Sequence, residues 1–181
     1  MPGKIASAAL AIAAIAASGA VYAAERYDLG RPATPEEIKG WDIDVSPDGA
    51  GLPPGHGDAQ QGEAIFAEKC ASCHGAHGEG KPMDRLVGGM GTLAPDKGPP
   101  IKTVGSYWPY ATTLFDYVRR AMPWDRPKSL SDEEVYSVAA YILYLNKVIG
   151  QDDVIDAQSL PKVAMPNRNG FTPFPRWPPP K

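Results

Sequence analysis

The chain has two cysteines, and they stand three residues apart with a histidine directly behind the second: Cys70-Ala71-Ser72-Cys73-His74. Thiols this close in sequence cannot staple distant parts of a fold, so a structural disulfide is a poor use for them. C-x-x-C-H is instead the spacing that attaches a c-type haem. Cysteines at i and i+3 on a helix end face one side, so both sulfurs can bond the two vinyl groups of one porphyrin. The histidine at i+4 then lies under the iron as its proximal ligand. A zinc site made of Cys70, Cys73, His77 and His56 would have spacings that fit no familiar zinc module. A redox dithiol would want a strand-then-helix setting, which the flanking residues do not offer. The expectation is one covalent haem c on Cys70 and Cys73, with His74 as a metal ligand.

The rest of the composition agrees with a bound apolar cofactor. Twenty prolines, nineteen glycines and only four phenylalanines leave a thin supply of core side chains. A net charge of −3 with no basic stripe makes nucleic acid an unlikely class of partner. Residues 1–23 read as a secretory signal peptide: a basic start at Lys4, an apolar stretch from Ile5 to Val21, and small residues before a cleavage point after Ala23. The apolar run is alanine-rich and short for a span, so an uncleaved anchor is the lesser reading. The mature chain is therefore expected to be periplasmic, with no membrane span.

Four segments follow: the signal peptide, an irregular arm (24–57), a haem domain (58–150) and a proline-rich extension (151–181). The arm is punctuated by turn signals, and Thr34-Pro35-Glu36-Glu37 within it offers a short capped helical turn. Asp58 to Cys73 predicts the first substantial helix, capped by Asp58, with Ala59, Gly62, Phe66 and Lys69 along one side. His77 to Ile101 has no period and reads as a long loop of the kind that wraps a cofactor. A second helix is predicted from Pro109 to Ala121, stopped by Pro123. The best-specified helix runs from Leu130 to Ile149. Ser131-Asp132-Glu133-Glu134 is a capping box, Leu130 and Val135 can staple it, and Gly150 is the expected stop. From Gln151 onward the chain is expected to be an extended tail without a core of its own.

The group opposite His74 decides between carrying electrons and binding small molecules. A thioether there raises the reduction potential and closes the sixth position. Met122, at the end of the second helix and before Pro123, is the expected ligand, with Met90 in a glycine-rich loop as the alternative. Met83 follows His74 too closely, and Met165 lies beyond the last helix. His56 and His77 read as exposed non-ligands. For the proximal imidazole's other nitrogen, a carbonyl in Gly98-Pro99-Pro100 is the candidate acceptor. Tyr107, Trp108 and Arg126 are candidate donors to the haem propionates, although packing and solvated surface are their plainer roles.

Gly62 and Phe66 ahead of Cys70–His74, Met122-Pro123, and Tyr141 in the last helix together resemble class I cytochromes c over roughly Asp58 to Gly150. The resemblance implies an all-α fold, three to five helices around one haem, whose first and last helices cross with Gly62 allowing close approach and Phe66 and Tyr141 filling the contact. A narrower likeness covers more. The run from Thr103 to Pro123, Leu143-Tyr144-Leu145-Asn146, the stretch from Leu160 to Phe171, Gly30-Arg31-Pro32-Ala33-Thr34, Trp41-Asp42-Ile43-Asp44 and Gly51-Leu52-Pro53-Pro54-Gly55 are similar to cytochrome subunits of bacterial sulfite and sulfane-sulfur dehydrogenases. Some of those carry two haems on a longer chain; with one C-x-x-C-H this chain looks closer to single-haem members. The resemblance implies an electron-transfer protein rather than an enzyme in itself. Its partners would be a molybdenum-containing sulfite dehydrogenase subunit upstream and another cytochrome c or an oxidase downstream. A generic periplasmic shuttle, and a haem enzyme or gas sensor with an open sixth site, are the alternatives.

Overall fold

The element that organises the structure starts where its capping box sits. In the computed structural model, which describes residues 29–172, Ser131 Oγ accepts from the Glu134 amide, and the Glu134 carboxylate accepts from the Ser131 amide. The signal peptide, Glu25 to Asp28 of the arm, and the tail from Pro173 to Lys181 lie outside the described residues. Leu29–Ile38 and the residues from Lys39 onward are two compact units, each described by itself. Thr34 caps the helix α1 (Pro35–Trp41) as expected, and Glu37 also holds Arg31. The helix runs longer than the single turn foreseen.

In the second unit, β1 (His56–Gly57), α2 (Ala59–Lys69), α3 (Ala71–His74), α4 (Val104–Tyr107), α5 (Ala111–Ala121), α6 (Asp132–Leu145) and β2 (Ile155–Asp156) follow in order. Short 3-10 turns lie at Pro95–Lys97 and Leu160–Lys162. β1 and β2 form a two-residue antiparallel ladder, so the architecture is all-α as expected. Helix α6 is buried at every position from Val135 to Leu143, which requires neighbours on all sides. Helix α2 supplies the largest of those contacts, and α5, β1, β2 and α4 supply the rest.

The α2–α6 crossing depends on Gly62. A Cβ there would stand 1.9 Å from the Ser137 carbonyl oxygen, a distance no atom pair tolerates. Beside it the Phe66 and Tyr141 rings meet at 5.4 Å, tilted by 57°. On the opposite side of α6, Phe115 and Tyr136 pack at 4.4 Å. This is the crossing implied by the class I resemblance.

Three element boundaries differ from expectation. The first helix is capped by Asp58 as predicted but breaks at Cys70 (φ −126°, ψ −36°), so the attachment cysteines straddle a joint between α2 and α3. Helix α4 was not foreseen, because its capping box is closed by Ser106 on Thr103 rather than by Glu or Gln. Helix α6 ends at Asn146, not at Gly150.

The extensions are not free tails within the described residues. Val45 is buried, and its amide donates to Asp116 Oδ1 (2.9 Å) on α5. Arg119 on α5 donates to the Ile43 carbonyl (3.1 Å), and Tyr136 on α6 donates to the Pro53 carbonyl (2.9 Å). Beyond Gly150, Ile155, Leu160 and Met165 are buried in the same core. The expected extended tail is thus corrected for 151–172, which packs on the core of the helices. Three apolar side chains spaced through it are removed from water, which outweighs the extended preference of its prolines. No helix among the described residues is long and apolar enough to cross a membrane.

Candidate haem-attachment site

Cys70 caps helix α3, which carries Cys73 and His74 within one turn of it, and the Cys73 and His74 amides donate to the Cys70 carbonyl (3.1 and 3.0 Å). Gly75 ends it at φ +83°, and a Cβ there would meet the Glu79 carboxyl at 2.5 Å. The chain then folds back over the turn it has just left. The Gly80 amide donates to the His74 carbonyl (2.7 Å), Met83 to the Cys73 carbonyl (2.9 Å), and Leu86 and Val87 to the Gly78 carbonyl (2.8 and 3.1 Å).

That return brings the Asp84 carbonyl 2.8 Å from His74 Nδ1. A carbonyl only accepts, so Nδ1 carries the proton and Nε2 keeps its lone pair for a metal. The expected acceptor in 98–100 is therefore corrected. Pro99 and Pro100 are exposed, and the carbonyl facing the imidazole belongs to the tight 78–87 loop. No sequence signal marks such an acceptor, since every residue type carries a backbone carbonyl.

The donor set fits a covalent haem better than its rivals. Burial pushes the Cys70 thiol up to about 11, whereas a redox dithiol needs a thiolate at working pH. Addition of a thiol across a vinyl group asks for no ionised sulfur at rest. Cys73 is exposed and Cys70 partly buried, and both are free thiols. Of the other zinc candidates, His56 is exposed in the β1–β2 ladder and His77 is exposed beside Glu79. Among the described residues no three His, Cys, Asp or Glu side chains converge on a point.

The four methionines among the described residues are sorted by their surroundings. Met165 is core (3% exposed), and Met83 and Met90 are about half exposed. Met122 is half-buried at the C-terminus of α5, its amide donating to the Val118 carbonyl (3.1 Å), and packs against the core. Of the propionate candidates, Trp108 is half-buried and edge-on to Tyr117 (5.9 Å). Tyr107 stacks edge-on with Phe171 (5.2 Å) under Lys102, and its carbonyl accepts from Asn167 (2.6 Å). The Arg126 side chain is largely exposed, 3.5 Å from Asp125.

Comparison with known proteins adds an independent line. The family "cytochrome C oxidase, cbb3-type, subunit III" matches residues 57–142. The thiosulfate dehydrogenase of Psychrobacter arcticus is 33% identical over 112 residues, 58% of this chain and 32% of that protein. That of Allochromatium vinosum is 34% identical over 86 residues, 48% of this chain and 31% of that protein. The chain thus spans about a third of the length of these curated relatives. The crystal structure of the sulfane dehydrogenase SoxCD from Paracoccus pantotrophus contains a chain that superposes with a TM-score of 0.76 at 45% identity, covering 82% of this chain and 73% of that one.

Proposed function

Because the chain belongs to the class I cytochrome c family, an electron-transfer family, we propose that it serves a molybdenum-containing sulfite or sulfane-sulfur dehydrogenase as its single-haem electron acceptor. The observation that carries this reading is the 45% identity to the sulfane dehydrogenase chain, which extends over 82% of the residues and so beyond the haem domain into the arms. Cys70 and Cys73 would hold the haem, with His74 Nε2 and the Met122 thioether as the side chains that would ligate its iron. Bound haem supplies one-electron redox chemistry. The protein's share is to fix the imidazole through Asp84, to keep the ligand set closed, and to present an edge to partners. A two-electron oxidation upstream then requires two successive transfers to a downstream cytochrome c or oxidase. Export through the segment ending at Ala23 puts this exchange in the periplasm.

Purified, oxidised protein is mixed with a sulfite-oxidising molybdenum enzyme and followed at the reduced haem's visible bands. Reduction that needs both sulfite and enzyme is expected. Reduction by dithionite alone would leave a general electron shuttle. The names of the shorter matches motivate a second arm: reduction by thiosulfate without any enzyme would make the chain catalytic instead.

A further inference from the structure

Asn146 is 3% exposed at the C-cap of α6, and it uses both ends of its amide. Nδ2 donates to the Leu86 carbonyl (3.1 Å) and to the Ile142 carbonyl (2.9 Å), and Oδ1 accepts from the Gly88 amide (3.1 Å). Helix α4 closes the site from the other side: a Cβ on Gly105 would stand 2.3 Å from Asn146 Oδ1. Thr103 Oγ1 donates to the Gly88 carbonyl (2.6 Å), so Gly88 is held at both its amide and its carbonyl. Leu86 is two residues after Asp84, whose carbonyl takes the His74 Nδ1 proton.

From this chain of bonds we propose that Asn146 is a positioning residue that sets the donor strength of His74. It does so by pinning the 84–88 loop to the end of α6. An acceptor at Nδ1 makes the imidazole a stronger donor, which favours ferric iron. Loosening the loop weakens that acceptor, so the reduction potential rises. Buried amides with every donor and acceptor used act as a unit, and losing one end leaves the other strained. The inference rests on His74 as the proximal ligand.

The test uses the haem-loaded full chain. Asn146→Asp keeps the shape and the acceptor for Gly88 but cannot donate to Leu86 or Ile142. Asn146→Ala removes both ends. In each, the exchange of the His74 ring Nδ1 proton and of the Gly88 amide, read by NMR, is expected to quicken at least about tenfold, within the range of outer-shell effects. The equilibrium for reduction is expected to shift toward the reduced form by a similar factor, about 59 mV for one electron. Tyr136→Phe, which loses the bond to Pro53 on another face of α6, serves as a control: it lowers stability and moves neither readout. Variants that retain covalent haem with unchanged potential and exchange would overturn the proposal. If neither variant folds, the wild-type protein decides. Common protection of the His74 ring proton and the Gly88 amide across a denaturant series supports the pin, and independent opening refutes it. A wild-type chain that carries no covalent haem would instead fail the functional reading itself.

Discussion

His74 and Met122 are assigned as iron ligands from different kinds of information. C-x-x-C-H could be read directly because its chemistry lies within five consecutive residues. The Asp84 carbonyl could not, because it reaches His74 only after the chain has passed through Gly75, Gly78 and Gly80, all at positive φ. Met122 stands between these cases: its place at the end of α5 and before Pro123 was legible, and its proposed ligation depends on the whole loop that follows. Met122→Ala is expected to open the sixth position, lower the reduction potential and let the reduced protein bind carbon monoxide rapidly, read in the visible spectrum. If Met90→Ala does this instead, the loop rather than the helix end supplies the ligand.

At the scale of elements, the α2–α6 crossing was foreseen from Gly62, Phe66 and Tyr141, since a close helix contact demands a small residue at one fixed point. Gly62→Ala is expected to destabilise by about 1–3 kcal/mol, at the upper end because the obstructing atom is a backbone oxygen; urea unfolding of the haem-loaded variant measures it. The same crossing carries an ion pair, Lys69 Nζ to Glu134 Oε1 at 2.5 Å. Hydrogen bonding by Lys69, then by the Ser131 amide, holds the Glu134 carboxyl below the usual range, and Glu134 in turn raises Lys69. A carboxyl whose folded pKa is depressed contributes stability that is fully present above its unfolded value, about 4.3, and is lost as pH falls through the folded value. Unfolding midpoints of the wild type should therefore drop below about pH 4 relative to pH 7 by more than those of Glu134→Gln, which keeps the cap but is already weakened at neutral pH by up to about 1 kcal/mol through its lost ion pair with Lys69. What could not be read at this scale was the true stop of α6. Gly150 looked like a terminator, but Asn146 ends the helix because two partners far away in sequence, the Leu86 carbonyl and the Gly88 amide, claim its side chain.

Across the whole molecule, the thin supply of apolar side chains was legible, but one of its remedies was not: 151–172 covers part of the core with Ile155, Leu160 and Met165, while Asn167 ties back to Tyr107. Prolines concealed this: they argue against helix and strand but not against burial of the residues between them. Full burial of each such side chain contributes about 1.5–3 kcal/mol. Three together therefore approach the entire stability of an ordinary domain, about 5–15 kcal/mol. A chain ending at Gly150 is accordingly expected to carry attached haem but to lose the cooperative thermal unfolding of the full-length protein. Calorimetry of the two separates scaffold from ornament. An unchanged midpoint in the shorter chain would mean that the helices and the haem suffice, and that the segment to Thr172 rides on a core already complete without it.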